Sequence, residues 1–305
     1  MNANEKVALV TGANGLMGTH LLSELVSRNI RAVTLGRQQV NGFKHYQING
    51  PLDINGIRLA LKSEQPDYLF HLAGSFKAKN YQELLEVNAY YGKHILDCLL
   101  ALGFENQTKI IWVGSASEYG QVKIDNLPIT EECLPRPLTD YGKSKLVGSR
   151  IALAWSTESR TINVVRPFNI LGPGISKDLS IGNFSQQLIK SKSNKAIINT
   201  GYLGTSRDFI DAIDCANIMC ELVINPRCKG QVINLCSGQP VKIADILDYL
   251  IEKSGKKAIV KDTKQMGSSD IKTQFGCTKK REYFSGITST INWKTSVNRI
   301  LLETK

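Results

Sequence analysis

Tyr141 and Lys145 stand four residues apart in the run Tyr141-Gly142-Lys143-Ser144-Lys145. On a helix that spacing puts both side chains on one face, about one turn apart. A free phenol titrates near 10 and exchanges protons poorly at neutral pH unless a neighbouring cation stabilises the phenolate. Lys145 can supply that cation, although soluble helices also carry Tyr and Lys at this spacing with no function. A second cluster bears on the same chemistry. Ser115-Ala116-Ser117-Glu118-Tyr119-Gly120 follows the apolar run from Lys109 to Gly114, so a serine hydroxyl stands at the end of a core strand.

The elements that must position these groups read in order from the N-terminus. Val7 to Val10 is a continuous apolar run, as expected of a strand buried on both faces of a parallel sheet. Thr11-Gly12-Ala13-Asn14-Gly15-Leu16-Met17-Gly18 follows, and then Leu21, Leu22, Leu25 and Val26 recur at helical spacing. In such a strand–turn–helix unit the glycines let backbone N–H groups approach a pyrophosphate at the positive end of the helix. A second strand, Arg31 to Leu35, ends in Gly36-Arg37 with no carboxylate to bind the 2'-hydroxyl of NAD. A guanidinium grips phosphate through parallel hydrogen bonds, so Arg37 favours NADP, with NAD as the alternative and a plain surface arginine as the bland reading.

Asp53-Ile54 could stand beside the adenine. Asp67 to Leu72 is the next buried strand, and it ends in Ala73-Gly74-Ser75, small residues that let a cofactor lie close to the strand ends. Glu83 to Leu102 reads as one long helix with Leu84, Val87, Tyr91, Ile95 and Leu99 on a stripe. After a proline-containing loop comes the Tyr141 helix, then a strand from Ile162 to Arg166 ending in Pro167-Phe168-Asn169. Leu171-Gly172-Pro173-Gly174 breaks the alternation. The expected fold is α/β: a doubly wound parallel sheet of the Rossmann type over residues 1–168, with a returning segment around 205–236, and a smaller mixed lobe over 169–305. Within that lobe Phe184 to Ile189 and Ile243 to Ile251 read as helices, Arg207 to Asp211 leads into a helix reaching Leu222, and Val232 to Cys236 is a strand.

Composition narrows the function classes. At 305 residues and 42% hydrophobic the chain can bury a substantial core. Lys and Arg total 38 against 27 Asp and Glu, but they are dispersed, with no basic helix and no aromatic-interleaved basic stripe, so phosphate-bearing small ligands fit at least as well as nucleic acid or a membrane surface, and a solvated positive surface covers most of the charge. The seven cysteines include no Cys-x-x-Cys pair and have no histidines at ligand spacing; they read as reduced and structural, and no metal is expected. His71 and His94 likewise lack partner ligands. No signal-peptide pattern and no run long enough to span a bilayer is present, so a cytoplasmic protein with no membrane association is expected.

With these motifs in this order, the chain resembles the extended short-chain dehydrogenase/reductase family, within its nucleotide-sugar branch of epimerases, 4,6-dehydratases and 4-ketoreductases. The resemblance covers nearly the whole chain and includes FHLAG (70–74), VNAY around Asn88, RPFN with GPG (166–174), RDF (207–209) and INLCSG (233–238). It implies that Tyr141 is the acid/base, that Lys145 holds the nicotinamide ribose and lowers the Tyr141 pKa, and that Ser115 bonds the reacting oxygen. It also implies cofactor contacts from the glycine turn (Gly12, Asn14, Gly15, Leu16, Met17, Gly18), from Leu72, Ala73 and Gly74, and from Asn88 and Pro167. Ser75, Ser117, Asn169 and Arg207 would contact a nucleoside-diphosphate sugar, with the bland alternative that Arg207 pairs with Asp208 or Asp211. A homodimer through the helices beginning near Glu83 and Tyr141 is expected of the family, unless the Leu84–Ile95 stripe faces the protein's own sheet.

Two departures from the family pattern matter. Dehydratase relatives carry an acid and a glutamate after the strand-end hydroxyl, where this sequence has Ala116 and Ser117, so dehydration would require Glu118 to reach round. Near the C-terminus, where relatives place an arginine, Gln265-Met266-Gly267-Ser268-Ser269-Asp270 has only Lys264 nearby. The expected activity is NADPH-dependent C4 reduction of a nucleoside-diphosphate 4-keto-6-deoxy sugar, as in the GDP-4-keto-6-deoxymannose reductases and their CDP and dTDP counterparts. The rival is an epimerase with tightly held NAD(P), and a non-catalytic NADP sensor is more remote.

Overall fold

The apolar runs read from the sequence form the strands of one parallel sheet. The computed structural model describes residues 5–191, 193–262 and 271–303. Its strands are β1 (Val7–Thr11), β2 (Arg31–Gly36), β3 (Lys44–Gln47), β4 (Tyr68–His71), β5 (Lys109–Val113), β6 (Ile162–Pro167), β7 (Asn169–Leu171), β8 (Lys195–Thr200), β9 (Ser206–Asp211), β10 (Val232–Leu235), β11 (Pro240–Lys242), β12 (Lys257–Asp262) and β13 (Thr273–Gln274). Seven of them lie in the order β10-β6-β5-β4-β1-β2-β3, all parallel. The direction of winding reverses between β1 and β4. That reversal opens a crevice at the carboxyl ends of the strands, where ligands bind in sheets of this kind.

The helices are α1 (Leu16–Ser27), α2 (Ile54–Glu64), α3 (Tyr81–Leu85), α4 (Tyr91–Leu102), α5 (Asp140–Trp155), α6 (Ser180–Lys190), α7 (Ala212–Ile224), α8 (Ile243–Ser254), α9 (Lys279–Ser285) and α10 (Trp293–Glu303), and α1, α2, α4, α5 and α7 pack around the main sheet. Successive strand residues point to opposite faces. Ala8 and Val10 therefore pack against Leu21, Leu25 and Met219 on one side, while Leu9 packs with Val33, Ile95, Leu99 and Trp112 on the other.

The single helix expected from Glu83 to Leu102 is instead α3 and α4 joined by a π-helical turn at Glu86–Tyr90. Such a turn inserts an extra residue and is common at functional sites; here it carries Asn88. The stripe beyond it faces the protein's own sheet, since Tyr91, Ile95 and Leu99 belong to the buried cluster there.

After β6 the chain leaves the main sheet. β9 joins β11, β13 and β7 in a small mixed sheet, and β8 pairs with β12. Leu171, Phe184, Leu188, Ile198, Leu247 and Leu250 share a separate apolar core. α7 and β10 then return, α7 packing beside α1 and β10 completing the edge of the main sheet. The seven cysteines are all free thiols, five of them buried. Lys264 and Gln265–Asp270, where the family's arginine was sought, lie outside the described residues. No helix among the described residues is long and apolar enough to cross a membrane.

Candidate active site

The glycine turn shapes one wall of the crevice. Gly12 has φ +69°, a left-handed conformation, and a Cβ there would lie 2.7 Å from the Ala73 nitrogen. Only glycine lets β1 turn this close to the end of β4. Gly15, at the start of α1, offers no side chain to cap the helix. The first N–H groups of α1 are therefore left for an anion, and Leu16, Met17 and Gly18 line a cleft of about 830 Å³. Thr11 braces the turn: its hydroxyl accepts from the Ala73 N–H (3.2 Å) and bonds His71 Nδ1 (2.9 Å). His71 is buried between Tyr91 and Trp112, and burial, with Lys145 nearby, pushes it down to about 3, so it is a neutral structural group.

A second cleft, about 310 Å³, continues from Gly12, Asn14, Gly15, Leu72 and Gly74 toward the end of β2, where Arg37 is exposed on its wall. Ala73, Thr34, His45, Ile48, Gly50, Pro51, Val87 and Tyr91 also line it. Asp53 and Ile54 line neither cleft. Asp53 is the N-cap of α2, accepting from the Gly56 and Asn49 N–H groups at 3.0 Å each. Asn88 is also absent from both walls. It is buried, accepting from the Ser75 N–H and donating to the Ser75 carbonyl, each at 2.8 Å, and to Ser144 Oγ at 2.9 Å. It ties the loop after β4 to α5.

α5 begins at a sequence-encoded cap, Thr139, whose hydroxyl accepts from the Gly142 N–H at 3.1 Å. From there Tyr141 and Lys145 project toward the cleft that Ser115 and Ser117 also line. Tyr141 and Ser115 line the same cleft, and the Ser115 side chain is one of the groups that act on the phenol. Burial pushes the Tyr141 pKa up; Ser115 pulls it down, and Glu118 adds to the rise. The Lys145 ammonium donates to the Val113 carbonyl at 2.5 Å, and burial brings its own pKa down to about 8 against the pull of Glu118. Burial thus favours the protonated phenol.

Glu118 does not reach the cleft. It is fully buried, and its carboxylate accepts from the Ser115 N–H (2.9 Å), Ser149 Oγ (2.8 Å) and Arg166 Nε (2.8 Å). With Ala116 and Ser117 in the places where dehydratases carry their acid and base, no described carboxylate stands beside Tyr141 to abstract a proton.

The opposite wall comes from the second lobe. Asn169 and Arg207 line it, next to Pro167 at the end of β6, and Ser75 and Ser117 line the cleft opposite. Asn169 donates to the Asp208 carbonyl at 2.9 Å, and Arg207 donates to the Ser206 carbonyl at 2.9 Å. Asp208 and Asp211 are occupied elsewhere. Asp208 accepts from the Ser237, Gly238 and Gly276 backbones and the Ser237 hydroxyl, and Asp211 from Ser296, Arg299 and the Ile213 N–H. Phe76, Phe184, Tyr202 and Thr205 complete this part of the cleft, and no sequence motif had singled them out.

The chain matches the family model described as "NAD dependent epimerase/dehydratase family" over residues 8–236. It belongs to that family. GDP-6-deoxy-D-mannose reductase of Pseudomonas aeruginosa is 29% identical over 300 residues, covering 96% of this chain and 95% of that protein. UDP-glucose 4-epimerase of Azospirillum brasilense is 24% identical, over 95% of this chain and 92% of its own. The solved structure of RMD from Pseudomonas aeruginosa complexed with NADPH superposes with a TM-score of 0.86 at 26% identity, covering 98% of both chains. Members of the epimerase/dehydratase family thus share this chain's fold over nearly its whole length.

Proposed function

We propose that the chain is an NADPH-dependent reductase of a nucleoside-diphosphate 4-keto-6-deoxy sugar. The observation that carries this reading is that Ser115, Tyr141 and Lys145 line one cleft, with Ala116 and Ser117 at the positions where the family resemblance puts a dehydratase's acid and base. A relative that reduces such a sugar nucleotide, 29% identical across both chains, supports the same reading.

The residues present fit the cofactor. The uncapped start of α1, the close approach of Gly12 to Ala73, and the second cleft running to Arg37 together make a trough from a pyrophosphate site to a 2'-phosphate site. Bound NADPH would supply the hydride. Tyr141 donates the proton to the developing C4 alkoxide, Ser115 bonds the same oxygen, and Lys145 stands behind them at the Val113 carbonyl. We assign residues 1–168, with α7 and β10 of the segment around 205–236, to the cofactor and the remaining second-lobe residues, β9 included, to the substrate. Asn169 and Arg207 are the proposed grips on the nucleotide-sugar. We further infer a homodimer, which would use outward faces of the α4 and α5 region because the Tyr91–Ile95–Leu99 stripe is spent internally.

The test is absorbance of the reduced nicotinamide, with NADPH and 4-keto-6-deoxy sugar nucleotides generated in place by dehydratases. Consumption of NADPH matched to loss of one keto sugar is expected. Cofactor that stays bound through purification, with no net consumption of NADPH and interconversion of two sugar nucleotides, would establish the epimerase instead.

A further inference from the structure

Behind Tyr141 lies a buried charge that the proton transfer does not use directly. Glu118 is 0% exposed, and each of its three partners comes from a different part of the fold. The Ser115 N–H belongs to the strand-end turn, Ser149 to α5, and Arg166 to β6. Ser149 continues the face of α5 that carries Tyr141 and Lys145, since positions four residues apart stack along one side of a helix. Arg166 is itself buried and lies over the Tyr119 ring, 4.6 Å from its centroid. Room for this carboxylate exists because residue 114 is glycine: a Cβ there would lie 2.8 Å from Ser149 Oγ and would collide with Glu118 Oε1.

We propose that Glu118 is a positioning residue for proton transfer, clamping the Ser115 backbone to the Tyr141–Lys145–Ser149 face of α5 while fixing a negative charge behind them. This rests on the reductase reading of the site but adds a role outside its cleft. An ion pair placed here only for stability would be a weak choice, because burying both charges costs about as much as their attraction returns. What the pair does gain is a fixed distance between the hydroxyl and the phenol that share one oxygen of the substrate. Glu118 from the turn acts on both Tyr141 and Lys145, His71 from β4 lies near Lys145 and is neutral, and Arg166 from β6 pairs with Glu118. Burial raises the Tyr141 pKa and lowers that of Lys145; the Glu118 charge adds to the first shift and opposes the second.

Glu118→Gln removes the charge but keeps an oxygen for Ser115 and Ser149; Glu118→Asp keeps the charge but shortens the reach. The Lys145 titration, followed by NMR with 13C-labelled lysine in the full chain and assigned with Lys145→Ala, should move down by about half a unit or more in Glu118→Gln and stay put in Glu118→Asp. In turnover, the limb that falls with rising pH should shift down in Glu118→Gln alone, while the rate drops about tenfold or more in both. Should Glu118→Gln fail to fold with Arg166 left unpaired, the double variant Glu118→Gln/Arg166→Met carries the same expectation. An unmoved Lys145 titration in the charge-removing variant overturns the proposal, as does a wild-type rate in both single variants. If the wild-type chain consumes no NADPH with any keto sugar, the reductase reading fails on its own account, and the NMR titration still decides the role of Glu118.

Discussion

The two walls of the cleft are built by different means. On the cofactor side the working groups are largely main chain: the turn at Gly12–Gly18, the uncapped start of α1, and the small residues 73–75 at the end of β4. On the substrate side they are side chains, Asn169, Phe184, Tyr202 and Arg207, brought together from β7, α6, the segment after β8, and β9. A wall of backbone binds what many proteins bind, a dinucleotide's phosphates and ribose. A wall of side chains can change its ligand one residue at a time. If the proposed roles hold, specificity for the sugar nucleotide should rest on the side-chain wall and cofactor binding on the backbone wall.

Substitutions can break or sharpen that contrast. The largest effect is expected where the walls meet. Tyr141→Phe should lower kcat by about 10²–10⁴-fold with NADPH affinity unchanged, measured by turnover and by quenching of protein fluorescence. Full activity in that variant would remove Tyr141 from the mechanism. Next comes Arg207→Ala, which takes a guanidinium from the side-chain wall. KM for the nucleotide-sugar should rise about 10–100-fold, the cost of a charged hydrogen bond to phosphate, while NADPH binding stays as it was. An equal loss of both affinities would mean that the walls are not separable.

Arg37→Ala is the converse. It should weaken NADPH about tenfold and leave NADH and the sugar nucleotide untouched, as titration of each ligand would show.

A further effect falls on stability rather than on binding. His71, held neutral with a pKa of about 3 against an ordinary 6.5, binds no proton where the unfolded chain does. Its contribution is therefore complete above pH 6.5 and is lost as pH falls toward 3, by up to about 1.4 kcal/mol per unit. Urea unfolding between pH 7 and 5 should show this slope, and His71→Asn should flatten it.

The same contrast explains what could be read in advance. The glycine turn, the strands that flank it and the Tyr141–Lys145 spacing are contiguous, and their roles depend on local geometry alone, so the parallel sheet and its switch-point crevice were legible. Asp53 shows the limit. The sequence put Asp53 beside the adenine and did not show that its carboxylate also caps α2, accepting from the Gly56 and Asn49 N–H groups. The π-helical turn around Asn88 left no mark in the apolar periodicity. Phe184 and Tyr202 belong to the cleft only through the packing of α6 and the small sheet, which nothing local announces. Glu118 was legible as an oddity beside Tyr119, but its partner Arg166 is 48 residues away.

The central claim, net reduction at C4, is tested most directly by isotope transfer. NADPH carrying deuterium at the transferable position is given with the 4-keto-6-deoxy sugar nucleotide, and the product is examined by NMR and mass spectrometry. The account expects one deuterium at C4 for each NADPH consumed, abolished in Tyr141→Phe. Epimerised product without deuterium, formed while NADPH stays unspent, would contradict it.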